Sequence, residues 1–207
     1  MNTLLLPILV ALFSFLVGSV PTAYLLVRKG TKKDLRVEGS GNIGTLNAFE
    51  VTRSKGIGVA VLLIDLAKGA IPQLMLLIVH PGDVITEAAA LLGVVLGHNY
   101  SPWIGWKGGR GLAPAAGASL LFAPLFIVLW CLYWLAAYWR TRDVHIANIA
   151  AILLAPFTVL VASEVFRYVR PHPMPDTVAF VTALFLLSVL VMLRHLGPLA
   201  TLLRSRQ

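Results

Sequence analysis

Charged side chains are scarce in this sequence. Asp, Glu, Lys and Arg make up 13% of the 207 residues, whereas hydrophobic residues make up 58%. A soluble domain carries about 25% charged residues, so this chain lacks the material for a water-exposed surface. Its mean hydropathy is +0.83. The composition excludes an ordinary soluble enzyme and favours a polytopic membrane protein.

Cysteine and acidic residues are also few. Cys131 is the only cysteine, which excludes an intramolecular disulfide and a cysteine-based metal cluster. Nine acidic residues stand against 17 Lys and Arg, giving a formal charge of +8. In a membrane protein, basic cytoplasmic loops and anionic lipid explain this excess. We therefore expect a lipid bilayer as partner and no nucleic acid.

Long apolar runs predict the membrane spans. The first, 3–27, has no basic segment before it and no Ala-x-Ala site, so we interpret it as a retained span rather than a signal peptide. Basic residues follow it from Arg28 to Arg36, which places the N-terminus outside. The other predicted spans are 56–79, 84–103, 112–139, 144–163 and 177–193.

The run 112–139 is ambiguous, because it is either one tilted span or two short helices that break at Ala123-Pro124. Two helices place 14 Lys and Arg inside and 2 outside, whereas one helix gives 11 and 5. The first ratio fits the positive-inside rule better. We predict an all-α polytopic membrane protein with about seven transmembrane helices, a cytoplasmic C-terminus and a single domain over 1–207.

Two predicted inside loops are rich in glycine. The first runs from Gly39 to Asn47, and three glycines in six residues allow its N–H groups to approach a phosphate closely. The second contains Lys107-Gly108-Gly109-Arg110-Gly111 and leads into an apolar helix, an arrangement typical of an anion site. The alternatives are a plain connecting turn for the first loop and topology-setting charges for the second.

Ionisable residues within or beside the spans add to the polar groups that we predict on the cytoplasmic side. Asp65 and Lys68 lie three residues apart on one helical face, as a structural or a catalytic ion pair. His98 lies close to the second loop, whereas we interpret His145 as structural. A transporter needs polar groups through both halves of the membrane. Polar groups on one side favour an enzyme that joins a soluble phosphate compound to a lipid.

Several segments together resemble one family over about 15–117. They occur in the order Gly18-Ser19-Val20-Pro21 with Tyr24, the loop 39–47, Asp65-x-x-Lys68-Gly69-x-x-Pro72, and Gly97-His98 through Lys107-Gly108-Gly109-Arg110-Gly111. This pattern resembles the bacterial acyl-phosphate:glycerol-3-phosphate acyltransferase family. The resemblance implies seven helices in the bacterial inner membrane, an external N-terminus and a cytoplasmic active site.

The implied reaction transfers a fatty acyl group from acyl-phosphate to the 1-hydroxyl of glycerol 3-phosphate and gives lysophosphatidate, without acyl-CoA, metal or cofactor. No histidine here is followed five positions later by aspartate, so the histidine–aspartate acyltransferase mechanism is not available. An enzyme that produces acyl-phosphate is an expected partner. The resemblance assigns catalytic roles to Ser40, Asn47, His98 and Lys107. It assigns substrate-binding roles to Gly39, Gly41, Asn42, Gly44, Thr45, Arg53, Asn99, Gly108, Gly109, Arg110, Gly111 and His195.

The chain departs from the family pattern on the acceptor side. Leu46 replaces a threonine, Glu50 an arginine and Pro114 a threonine, and after Arg194-His195 the C-terminal motif is lost. We predict a divergent member in which Arg53 neutralises Glu50 or replaces the missing arginine. The alternatives are a paralogue with a different acceptor or a non-catalytic lipid-binding role, and, less favoured, an anion transporter.

Overall fold

The computed structural model describes residues 4–169 and 176–204, and within these ranges every regular element is helical. The predicted all-α class is therefore confirmed for the described chain. The helices are α1 Leu5–Ser19, α2 Thr22–Thr31, α3 Thr45–Thr52, α4 Lys55–Val79, α5 Val84–Asn99, α6 Leu112–Phe122, α7 Pro124–Thr141, α8 Val144–Val161, α9 Ser163–Val169, α10 Thr177–Leu193 and α11 Leu196–Arg204, with a 3-10 turn at Pro102–Ile104.

The first predicted span is not one helix, because it breaks at Val20-Pro21 between α1 and α2. Proline cannot donate the next helical hydrogen bond. Distant polar groups bind the carbonyls at the break instead. Lys68 Nζ donates to the Val20 carbonyl at 2.5 Å, and Ser101 Oγ donates to the Ser19 carbonyl at 2.6 Å. The break is thus held by two other segments of the bundle.

The predicted break at Ala123-Pro124 is confirmed, since α6 ends at Phe122 and α7 begins at Pro124. At 11 residues α6 is short for a span, but it lies directly against α4. A Cβ atom added to Gly117 would lie 2.0 Å from the Leu66 carbonyl oxygen. One added to Gly69 would lie 2.0 Å from the Pro114 carbonyl oxygen. The backbones of α4 and α6 therefore touch without side chains between them.

Helices α1 and α5 form a second glycine contact. A Cβ atom added to Gly97 would lie 2.0 Å from the Phe15 carbonyl oxygen, and one added to Gly93 would lie 2.5 Å from that of Ala11. The main apolar core lies beside this pair, among α5, α6, α8 and α10. It includes Leu91, Phe122, Phe180 and Leu184, each with no solvent exposure.

In the part of the chain that the structure describes, three segments are long and apolar enough to cross a membrane: Leu5–Thr31, Lys55–Val79 and Val144–Val161. Leu112–Phe122 and Thr177–Leu193 are shorter apolar helices. Large apolar side chains are exposed on the outer surface of the bundle, as at Ile78 on α4. Exposed apolar area of this kind is stable in lipid rather than in water.

Candidate active site

The two glycine-rich loops pack against each other. The Gly109 N–H donates to the His98 carbonyl at 3.1 Å. A Cβ atom added to Gly109 would lie 2.7 Å from the Ile43 carbonyl oxygen, in the middle of the first loop. Segments about 65 residues apart in sequence therefore build one surface beside the ends of α3, α5 and α6.

Asn47 organises the first loop. Its Oδ1 accepts the Ser40 N–H at 3.0 Å, and its Nδ2 donates to the carbonyls of Asn42 at 2.9 Å and Glu38 at 3.1 Å. The side chain is buried, so the loop itself uses all of its hydrogen-bonding groups. We assign Asn47 a positioning role in place of the predicted catalytic one. Ser40 is exposed beside it, which leaves its hydroxyl accessible.

The other predicted residues of the first loop lie at its turns and at the start of α3. Gly39 and Gly41 have φ of +58° and +69°, a left-handed conformation that favours glycine. At Gly39 a Cβ atom would also lie 2.2 Å from Asn47 Oδ1. Gly44 caps α3, which begins at Thr45, and Asn42 is half-buried. These residues shape a compact turn ahead of a helix N-terminus.

Arg53 lies at the opposite end of α3, where it is exposed and ends the helix with φ of +55°. Among the described residues no ion pair within 4.0 Å joins it to Glu50, so the predicted neutralisation is not observed. The charge of Glu50 instead acts on Arg110 and His145. This carboxylate, at the position where the family pattern has an arginine, therefore acts electrostatically on a residue of the second loop.

Steric contacts fix the second loop against α5. A Cβ atom at Gly108 would lie 2.1 Å from the His98 carbonyl oxygen, and one at Gly109 would lie 2.0 Å from His98 Nε2. Gly111 has φ of +79° and caps α6. Pro114 lies in the first turn of α6, where its missing N–H leaves no intrahelical bond unmade. Proline in place of the family's threonine is therefore compatible with the first turn of α6.

Arg194 holds the same loop from the other side. Its Nε donates to the Gly109 carbonyl at 3.0 Å and its Nη2 to the Gly108 carbonyl at 2.9 Å, and its guanidinium lies 5.4 Å from the centre of the Tyr100 ring. Asn99 Nδ2 donates to the Leu190 carbonyl at 3.3 Å and so ties α5 to α10. Sequence reasoning noted Arg194 as part of the Arg194-His195 remnant of the C-terminal motif and did not predict its contact with the second loop.

A buried ion pair lies beneath the loops. Lys68 Nζ is 2.8 Å from Asp65 Oδ1, which confirms that the two residues share a helical face. His98 Nδ1 lies 3.9 Å from the same Asp65 oxygen. These groups border a small polar cleft that also includes Ile43 and Gly108. The pair thus links the α1–α2 break, through Lys68, to the histidine that packs on the second loop.

A cationic cluster lies where α8 begins and α10 ends. Arg110 Nη1 is 3.3 Å from His145 Nδ1. His195 is fully buried, and its Nδ1 lies 2.8 Å from the Val191 carbonyl, while its Nε2 has no hydrogen-bond partner among the described residues. Burial, together with the nearby charges of Arg110 and Arg194, lowers the pKa of His195 to about 4. The interpretation of His145 as merely structural missed this contact.

Lys107 is exposed and Arg110 half-buried at the mouth of the second loop. Behind them, an apolar cavity of about 90 Å³ lies among α6, α7, α8 and α10. Its lining includes Leu112, the first residue of α6, as well as Phe126 and Leu187. Within 4–169 and 176–204, no group of three or more His, Cys, Asp or Glu side chains is arranged to hold a metal ion. The geometry thus joins an anion-binding loop to an apolar space.

Comparisons with known proteins agree with this geometry. The family model described as glycerol-3-phosphate acyltransferase matches residues 8–205. The glycerol-3-phosphate acyltransferase of Gluconobacter oxydans is 34% identical over 201 residues, covering 97% of this chain and 91% of the relative. Glycerol-3-phosphate acyltransferase 2 of Moorella thermoacetica is 37% identical over 162 residues, covering 78% and 82%.

Solved structures give the same answer. The crystal structure of PlsY, an integral membrane glycerol 3-phosphate acyltransferase, in its glycerol 3-phosphate form matches with a TM-score of 0.80 at 28% identity. The match covers 97% of this chain and 94% of that one. Its lysophosphatidic acid form matches with a TM-score of 0.78. The chain therefore belongs to the glycerol-3-phosphate acyltransferase family.

Proposed function

We propose that this membrane acyltransferase takes its fatty acyl group from acyl-phosphate and transfers it to the 1-hydroxyl of glycerol 3-phosphate. Family membership supports acyl transfer to glycerol 3-phosphate. One observation carries the choice of donor: two glycine-rich loops meet at Ile43 and Gly109, beside the N-terminus of α6. Such a surface suits two phosphate groups held side by side.

The reaction needs little acid–base chemistry from the protein, because acyl-phosphate is a mixed anhydride with a good leaving group. The 1-hydroxyl oxygen attacks the acyl carbonyl carbon, and its proton passes to a phosphate oxygen. The bond between the acyl carbon and the donor phosphate oxygen then breaks, which gives lysophosphatidate and inorganic phosphate. The protein acts by positioning two anions and stabilising the charge that develops on the leaving phosphate.

The roles of the residues follow from their exposure. Lys107 and the free N–H groups at the start of α6 hold the leaving phosphate. The exposed hydroxyl of Ser40 binds the reacting groups from the first loop. His98 and Asn47 are buried, and they position the loops instead. The acyl chain lies in the apolar cavity that begins at Leu112.

The proposed topology has seven spans, with the N-terminus outside and the C-terminus cytoplasmic in the bacterial inner membrane. The α1–α2 pair counts as one span, and the other six are α4, α5, α6, α7, α8 and α10. The ratio of 14 inside to 2 outside basic residues supports this orientation. An enzyme that makes acyl-phosphate supplies the donor from the same membrane face.

A second candidate keeps the donor and changes the acceptor. The observation that favours it is Glu50, whose negative charge acts on Arg110 and His145 at the second loop. A carboxylate there repels a dianionic acceptor. A less anionic polar alcohol is the acceptor that this arrangement favours over glycerol 3-phosphate.

The test uses detergent-purified full-length protein with palmitoyl-phosphate and glycerol 3-phosphate. We expect lysophosphatidate and inorganic phosphate in equal amounts, and no product when palmitoyl-CoA replaces palmitoyl-phosphate. Product from palmitoyl-CoA alone would contradict the proposed donor. Turnover with glycerol at a higher rate than with glycerol 3-phosphate would favour the second candidate.

A further inference from the structure

An open apolar groove lies beside the break between α1 and α2. Its volume is about 300 Å³, and it is lined by residues of the break, of α2 and of the 3-10 turn, namely Val20, Pro21, Tyr24, Leu25, Trp103 and Ile104. The cavity that receives the acyl chain in the proposed reaction lies elsewhere, among α6, α7, α8 and α10. Tyr24 belongs to the first segment of the family pattern, and the proposed reaction gives it no role.

The aromatic wall of the groove is fixed by the protein itself. Trp103 Nε1 donates to Ser19 Oγ at 2.8 Å, so the only hydrogen-bond donor of the indole is already used. The Trp103 side chain is nevertheless 65% exposed, and Leu25 is 50% exposed. In a chain that spans a membrane, the natural neighbour of such an apolar surface is an acyl chain rather than water.

Two guanidinium groups lie beside the groove, at Tyr24. The Arg28 guanidinium is 5.5 Å from the centre of the Tyr24 ring, and that of Arg36 is 5.2 Å from it, which is within the range of cation–π contacts. Arg28 Nη1 also donates to the Tyr24 hydroxyl. Tyr24 therefore joins an apolar groove to two positive charges.

The surroundings of these two arginines are mostly positive. Residues 28–36 contain five Lys and Arg and one acidic residue, Asp34. Asp34 pairs with Arg36, whose Nη2 is 2.6 Å from Asp34 Oδ2. Arg28 is exposed, and among the described residues no ion pair within 4.0 Å joins it to a carboxylate. Its guanidinium therefore has donors left for an anion.

We propose that this groove binds one anionic phospholipid of the bilayer. An acyl chain lies against Leu25 and Trp103, and the phosphate accepts hydrogen bonds from Arg28. Aromatic and basic side chains together are typical of the headgroup level of a membrane. The excess of positive charge in 28–36 favours an anionic headgroup over a zwitterionic one. This site depends on neither the donor nor the acceptor of the reaction.

The experiment measures how unlabelled lipids displace a fluorescent phosphatidylglycerol from the full-length protein, delipidated in a neutral detergent. We expect one lipid per protein, and dioleoylphosphatidylglycerol should compete roughly tenfold better than dioleoylphosphatidylcholine. Because a ligand of the folded state stabilises it, the first lipid should also raise the thermal inactivation temperature. Equal competition by the two lipids would overturn the site.

Two neighbouring residues separate a specific site from general attraction to a charged surface. Arg28→Gln should weaken phosphatidylglycerol binding about fivefold, the effect of one basic residue at an anionic surface, with phosphatidylcholine binding nearly unchanged. Lys29→Gln is the matched control, because Lys29 is also exposed and carries the same charge, and binding should there stay within twofold of wild type. Equal weakening in both variants would mean that overall charge holds the lipid, which overturns the site.

Leu25→Ser tests the apolar part of the groove. It removes apolar contact without changing charge, so both lipids should bind about threefold more weakly and by the same factor. Leu12→Ser is the control, because Leu12 is 57% exposed on α1 and lies outside the groove lining. Unchanged binding in Leu25→Ser would overturn the placement of the acyl chain.

Palmitoyl-phosphate tests the competing assignment of the groove to the donor. We expect it to displace the labelled lipid less well than phosphatidylglycerol does, and its KM should stay within twofold of wild type in Arg28→Gln. Stronger displacement together with a raised donor KM would assign the groove to the donor and overturn the phospholipid site. A wild type that binds phosphatidylglycerol as expected but transfers no acyl group would contradict only the proposed function.

Discussion

The two sides of the site are built in different ways. The second glycine loop is held from several directions: its glycines touch His98 and Ile43, and Arg194 binds two of its carbonyls. The cluster around His195 has fewer such contacts, since His195 Nε2 has no hydrogen-bond partner among the described residues and the charge of Glu50 acts on Arg110. The second loop is thus the fixed side of the site, whereas the cluster around His195 still has a polar atom that a ligand could bind. Substitutions on the two sides should therefore differ in kind.

The largest effect is expected on the fixed side, from Gly109→Val. A Cβ atom there would lie 2.0 Å from His98 Nε2 and 2.7 Å from the Ile43 carbonyl, so the two loops must separate. We expect activity to fall at least a thousandfold while the protein still inserts in the membrane. Gly197→Val is the control, because a Cβ atom added at that position would have no neighbouring atom within 4 Å. Near-normal turnover by Gly109→Val would show that the loop contact is dispensable.

Asp65→Ala should give the largest loss of stability. It leaves Lys68 buried without its counter-charge, and breaking a buried pair costs about 3–5 kcal/mol. We expect a clearly lower thermal inactivation temperature in detergent. The exposed Asp34–Arg36 pair provides the control, and Asp34→Ala should change that temperature little. Equal shifts in the two variants would refute the buried character of the first pair.

Arg194→Gln should reduce kcat by about ten- to a hundredfold, because two charge-assisted hydrogen bonds to the loop carbonyls are lost, each contributing about 1.5–3 kcal/mol. The KM of glycerol 3-phosphate should change much less. Steady-state kinetics distinguishes the two parameters. Arg204→Gln, on the exposed side of α11, is the control. A change in acceptor KM alone would move Arg194 from the second loop to the cluster around His195.

Glu50→Gln should improve the binding of glycerol 3-phosphate. Removing a carboxylate near the anion should lower the KM of glycerol 3-phosphate about three- to tenfold, since about 1.4 kcal/mol is tenfold in affinity. Glu38→Gln, an exposed acid of the first loop, serves as the comparison. An unchanged KM in the Glu50 variant would mean that this carboxylate does not meet the acceptor.

The smallest effect is expected from Arg53→Ala. Arg53 is exposed at the C-terminal end of α3 and does not pair with Glu50 among the described residues. The acceptor KM should stay within twofold of wild type. A tenfold rise would restore the hypothesis that Arg53 replaces the family's missing arginine.

Sequence patterns predicted the helical class and the break at Ala123-Pro124, and they placed the two glycine loops on one side of the membrane. They missed the break at Val20-Pro21, although Pro21 was visible, because a hydropathy average does not register a single proline in an apolar run. The groups that stabilise that break, Lys68 and Ser101, are also distant in sequence. Local sequence patterns predict secondary-structure elements, whereas contacts between residues that are distant in sequence can be seen only in the structure.

The same limit applies to the site. His145 meets Arg110 only because α8 begins beside the second loop, and its own neighbours in sequence carry no sign of that contact. Asn47 matched a family motif, but only the structure shows that its amide is used up by the loop. Residue type and spacing drew attention to the two glycine loops that the structure brings into contact, whereas the burial of each side chain could be read only from the structure.

The glycine contacts between α1 and α5 and between α4 and α6 have a mechanical consequence. Backbone lies on backbone there, so no side chain at these contacts can change rotamer and each helix pair is tightly packed. Helices α7, α8 and α10 meet instead, with one face of α6, around a cavity lined by side chains. Motions that release a long-chain product should therefore be confined to the helices around this cavity. Lysophosphatidate should then leave laterally into the bilayer, while the glycine loops keep their conformation for the next turnover.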